Sequence, residues 1–180
     1  MTPKTYSNPL VILHWFQGIL LTFILVSGTL VLSNIPNTIA KIGSLKMHIV
    51  LGLFIFLLTI VRLIALAKYP KPAKLTQMGI WREKLISLNH LFIYSVIIAM
   101  AISGVVLGKM TGLSDIIFFG STLALPENFK TLTVGVVHGM LSKVLIALIV
   151  IHIIGVFSYM LKTKENILKR MWFKQLKDRK

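Results

Sequence analysis

The chain has 180 residues, a formal net charge of +15, no cysteine and 56% hydrophobic residues, with a mean hydropathy of +0.83. That apolar share exceeds the roughly 45–50% of a soluble domain, which excludes an ordinary water-soluble fold. Without cysteine there are neither disulfides nor thiolate metal sites. The charge raises the question of nucleic acid, but the aromatic–basic interleaving of such a surface is missing, so no nucleic-acid partner is expected.

Four apolar stretches, approximately 9–32, 45–67, 85–108 and 131–160, each reach the roughly 20 residues that span a bilayer. The first starts at Pro9, tolerated in a first helical turn, behind Ser7 and Asn8 as candidate caps. It is too long for a signal-peptide core and has no A-x-A exit, so no cleavable leader is expected. After the second span comes a basic loop with Lys68, Lys71, Lys74, Arg82 and Lys84. Beyond the fourth lies a basic tail from Lys162 to Lys180. Together with Lys4 these segments hold 14 of the 20 basic residues, all on one side of a four-span topology. The positive-inside rule then predicts cytoplasmic termini, with the tail facing lipid headgroups. The expected architecture is all-α: an integral membrane four-helix up-down bundle, a single domain over residues 1–180.

All five histidines fall inside the spans and none in a loop. His14, His90 and His152 lie at the cytoplasmic margin, while His48 and His138 lie at the external one. Hydrocarbon is a costly place for an unpaired imidazole. A lone intramembrane histidine is commonly a helix–helix hydrogen-bond donor, but five in two tiers point to a ligand at each level. His138 and His152 sit fourteen residues apart in "HGMLSKVLIALIVIH", about 21 Å of rise and only about 40° apart in direction on a helix. Zinc wants three or four clustered donors, whereas the acidic residues all lie in loops or the tail. Haem iron takes two axial imidazoles and leaves a flat apolar ring among the helices. No C-x-x-C-H occurs, so two non-covalent b haems are predicted.

The fourteen-residue interval recurs. It leads from His14 to Gly28, from His90 to Gly104 and from His48 to Arg62. A glycine on the ligand face leaves room for a porphyrin against the backbone, and Gly18, Gly52, Gly135 and Gly155 stand three or four residues from candidate ligands. Small-residue helix packing is the plainer explanation for any one of them. Arg62 is a candidate for a haem propionate or a quinone headgroup, with snorkelling to the interface as the alternative. At the external tier only His48 and His138 are present to share an iron. The other tier offers three candidates for two positions, with His152 favoured by sharing the face of His138.

The stretches "ILHW" (12–15), "MHIVLGLFIFLLTIVRL" (47–63), "KYPKP" (68–72), "LNHLFIYSVIIAMAISG" (88–104), "VHGMLSKV" (137–144), "IHIIG" (151–155) and "KENILKRM" (164–171) resemble the bacterial cytochrome b561 family. The likeness extends over nearly the whole chain. It implies a di-haem protein of the bacterial inner membrane that transfers electrons to ubiquinone. It also implies His14 as the partner of His152, leaving His90 beside a quinone with Arg62. Where family members often carry a His-His pair, this chain has Tyr159-Met160, which makes Tyr159 a further quinone-site candidate. At least one member resembles a superoxide oxidase, so superoxide is an expected donor at the external face. The alternatives are a cytochrome b anchor subunit of a hydrogenase or formate dehydrogenase, recognised by a co-purifying iron–sulfur partner, and a haem-free histidine-lined transporter, recognised by its lack of colour.

Overall fold

The computed structural model describes residues 5–73 and 79–173. Lys4, Lys74, Lys174, Lys177, Arg179 and Lys180, which enter the charge argument, lie outside the described residues. Those described form helices and loops with no strand among them. Helix α1 (Asn8–Val26) runs on into a π-helical stretch, Ser27–Leu32. A 3-10 turn (Ile39–Lys41) then leads into α2 (Ile42–Lys68), followed by α3 (Ile80–Met110), the short α4 (Leu113–Phe119) and α5 (Thr133–Thr163). Among the described residues, four helical spans are long and apolar enough to cross a membrane: Asn8–Leu32, Ile39–Lys68, Ile80–Met110 and Thr133–Thr163. Each contains its predicted stretch to within two or three residues. α3 begins earlier than expected because the polar turn before residue 85 stays helical.

α1 packs on α2, α3 on α5, and α2 on α3, the neighbour order of an up-down bundle. The core is small: Leu21, Ile24 and Leu25 of α1 meet Ile55, Ile97 and Leu145 from the other three spans. Much more apolar surface points outward, with Ile19 66%, Leu57 59%, Ile102 58% and Ile154 59% exposed. In water such a surface is untenable; against acyl chains it costs nothing, so packing need not bury it. The fold is a membrane bundle.

Both ends are tied. At the end bearing the termini (the terminal end), Tyr6 N–H donates to Arg170 O at 3.0 Å and Trp15 Nε1–H to Met171 O at 2.7 Å. Arg170 also donates to Ala73 O in the loop between α2 and α3. At the opposite, distal end, Asn37 Nδ2 donates to Pro126 O at 2.7 Å, and Lys41 Nζ donates to Ile35 O and Asn37 Oδ1. Lys41 is consequently buried, only 5% exposed. α4, which the sequence reading passes over as loop, lies between Gly112 (φ 65°) and Gly120 (φ 67°). Left-handed turns at both ends favour glycine and let Leu113 and Ile117 fold back onto Leu32 and Leu45. Ser7 is the N-cap residue of α1, but its side chain makes no cap hydrogen bond and its Oγ is buried without a partner, contrary to the expected cap.

Candidate functional site

The bundle gathers the histidines into two tiers. At the distal tier His48 of α2 and His138 of α5 face each other with ring centroids 6.3 Å apart and planes at 69°. Gly28 and Gly104 sit directly against these rings. A Cβ on Gly28 would lie 3.0 Å from His48 Cε1, and one on Gly104 3.3 Å from His138 Cε1. The glycines expected to admit a porphyrin therefore admit the imidazoles themselves. Ser103 Oγ donates to Met100 O at 3.0 Å and accepts from His138 Nδ1 at 2.9 Å. His48 Nδ1 is buried with no partner.

At the terminal tier His14 and His152 have centroids 6.2 Å apart, again at 69°. His90 lies closer to His152, at 4.9 Å and 83°. An imidazole nitrogen sits about 2.0 Å from a metal and about 1.1 Å from its own ring centre, so two imidazoles sharing an iron need centroids roughly 6 Å apart. His48–His138 and His14–His152 meet that requirement, whereas the His90–His152 separation is too short. Among the described residues no group of three or more metal-binding side chains is placed to hold an ion; the histidines face one another in pairs. Neutral nitrogen donors in facing pairs, without carboxylate or thiolate, suit the two axial positions of a haem.

The terminal tier carries charge that the distal one lacks. Arg62, 7% exposed, donates through a terminal nitrogen to His14 Nδ1 at 2.7 Å, and its guanidinium lies 5.8 Å from the ring centroid of Tyr94. Its Nε is buried without a partner. His90 donates Nδ1–H to Ile86 O, one turn back, at 2.7 Å. Below the cluster Gln17 Nε2 donates to Thr59 Oγ1 at 2.6 Å, a buried cross-link between α1 and α2.

The chain matches the family model described as prokaryotic cytochrome b561 over residues 5–174. It belongs to that family. The family is one of transmembrane electron transfer by haem b, so this cytochrome is a multi-pass membrane protein of that kind. No curated protein and no solved structure matches the chain significantly.

Other candidates fall less centrally in this b561 chain. A Cβ on Gly18 or Gly155 would meet nothing within 4 Å, and one on Gly52 only Ile24 Cδ1 at 3.7 Å. A Cβ on Gly135 would collide with the Phe129 carbonyl, so that glycine serves the turn into α5 and not a porphyrin. Tyr159 is fully buried and donates its hydroxyl to Glu165 Oε2 at 2.9 Å, beneath the Arg82 guanidinium. Its polar atom is spent on anchoring the tail. Sequence reasoning missed Tyr94, Gln17, Thr59 and Ser103. Tyr94 was within reach, because it stands one turn from His90 on the same face. Ser103 required knowing that α3 packs on α5.

Proposed function

We propose that this cytochrome carries single electrons from its distal face to a membrane quinone at its terminal end. The setting is the bacterial inner membrane, with both termini cytoplasmic. The observation that carries the reading is the pair of facing imidazoles at each end, at 6.3 and 6.2 Å, each separation right for one iron. His48 and His138 would hold the distal haem, and His14 and His152 the terminal one. When bound, the two haems supply one-electron transfer across the bilayer.

The chain's own residues do the rest. Orientation follows from the 14 basic residues gathered on the terminal side. At the distal rim Lys46, Lys109 and Lys130 provide a positive field that speeds capture of an anionic donor such as superoxide. Lys41 does not join that field, because it is buried in the loop it braces. Arg62 donates to His14 Nδ1, whereas a ligating His14 needs its ring proton there. The guanidinium accordingly exchanges His14 for an oxygen acceptor, a propionate or a quinone carbonyl, which its unpartnered Nε also suits. His90, its Nδ1 held by Ile86, presents Nε2 to the quinone oxygen that exchanges protons.

The test is anaerobic. Purified protein should carry two low-spin b haems per chain by pyridine haemochrome assay. Superoxide should reduce both, and added ubiquinone should reoxidise them. One haem per chain overturns the two-tier reading. Reduction by other donors but not by superoxide leaves quinone-linked electron transfer and removes superoxide.

A further inference from the structure

The two helical hairpins repeat one arrangement at the distal tier. His14, Ile24, Ser27 and Gly28 stand on α1 and the π stretch at the same spacing as His90, Met100, Ser103 and Gly104 on α3. The facing helix of each hairpin brings a histidine, His48 or His138, onto that glycine through the same ring edge. Cε1 lies 3.0 Å and Nδ1 3.5 Å from a Cβ on Gly28; for Gly104 the distances are 3.3 and 3.8 Å. Each serine is bonded to the carbonyl three residues back, Ser27 Oγ to Ile24 O at 3.2 Å and Ser103 Oγ to Met100 O at 3.0 Å. One difference remains. Ser103 Oγ also accepts from His138 Nδ1 at 2.9 Å, whereas the equivalent His48 Nδ1 is buried without a partner.

A serine whose hydrogen is committed to a backbone carbonyl has only lone pairs to offer, so it can only accept from an imidazole. Accepting from Nδ1–H fixes the ring proton on that nitrogen and turns the Nε2 lone pair toward whatever the histidine ligates. Ser103 already does this for His138. Ser27 has the same donor commitment, and the glycine that follows it faces a ring nitrogen, His48 Nδ1, that has no hydrogen-bond partner. Ser27 is the first residue of the π-helical stretch, a distortion frequent at functional sites.

We propose that Ser27 and Ser103 are matched positioning residues of the distal tier, each accepting Nδ1–H of one histidine so that both rings present Nε2 to a common iron. The inference rests on the reading of His48 and His138 as axial ligands. It adds the outer residues that set ring rotation and ligand strength, with Ser27 engaging His48 once the tier is loaded. An accepted hydrogen bond on Nδ1–H makes the imidazole a stronger donor and favours ferric iron. Losing it should raise that haem's potential and leave the terminal haem alone.

The experiment uses the full-length holoprotein and four variants: Ser27→Ala, Ser103→Ala, Ser27→Thr and Ser103→Thr. Redox titration resolves the two haems, and low-spin EPR g-values report ring rotation. Each alanine variant should keep two haems and move the distal reduction equilibrium about tenfold toward the ferrous state, about 59 mV for one electron. The distal g-values should shift as well. Each threonine variant, which keeps the hydroxyl, should return both readouts to the native values. If Ser27→Ala sheds the distal haem but Ser27→Thr retains it at the native potential, the proposal stands. Loss in both variants would show that packing, not the hydroxyl, matters at residue 27 and would overturn it. An unchanged distal potential and EPR signal in Ser27→Ala would also overturn it, whatever Ser103→Ala does. Unsubstituted protein with a single haem would instead defeat the underlying ligand assignment.

Discussion

The two tiers share one ligand geometry and differ in almost everything around it. Their facing rings lie 6.3 and 6.2 Å apart, both at 69°. Around the distal pair are glycines, a serine and the hydrophobic cap of Leu32, Leu45, Leu113 and Ile117. Around the terminal pair are a third imidazole, a guanidinium and a phenol. On the proposed reading, the distal tier holds its group among apolar and uncharged neighbours. The terminal tier adds charged and proton-bearing groups, which quinone chemistry needs and pure electron transfer does not. On the proposed reading, one imidazole geometry serves two tasks through its neighbours.

The sharpest way to break the comparison is to remove a distal ligand. His138→Ala should lower haem content from two per chain to one, with quinol still reducing the haem that remains. Should the surviving haem be the distal one by its potential, the pairing is wrong. His90→Gln should leave both haems and slow quinone reduction about 100-fold, within the range for loss of a proton-transfer group. A haem lost in that variant, with both kept in His14→Gln, would make His90 the ligand and His14 the spare. Arg62→Gln should weaken retention of the terminal haem about tenfold, an effect typical of a lost outer partner, while the distal spectrum stays unchanged. Haem-dissociation rates measured with an apoprotein trap decide this.

Smaller effects sharpen the contrast. Gly28→Ala pushes a methyl to 3.0 Å from His48 and Gly104→Ala to 3.3 Å from His138. The first should destabilise the holoprotein by about 1–3 kcal/mol, as overpacking does, and the second by less. Thermal loss of the Soret band ranks the two; a larger effect at Gly104 would mean that His48 yields more easily. Tyr159→Phe removes a single hydrogen bond to Glu165 and should cost about 1 kcal/mol. Its quinone-reduction rate should equal that of the parent. A slowed rate would return Tyr159 to the quinone site.

The sequence by itself determined four spans and the sorting of five histidines into two levels, because hydropathy needs only a local window and helical rise fixes depth. It also marked Gly28, Gly104 and Arg62 as facing the ligand levels. α4 escaped it because the seven residues of Leu113–Phe119 are too few to show a period. The π stretch escaped for a related reason. Thr29 Oγ1 bonding back to Leu25 O at 2.6 Å is a side-chain choice that hydropathy does not register. What only the tertiary structure decided is which imidazole faces which. His90 and His14 are equivalent in depth and residue type, and they lie 4.9 and 6.2 Å from His152, a difference on which the proposed pairing rests. Those separations depend on how α1 and α3 rotate against α5, and rotation is set by packing among all four helices, which no single span encodes.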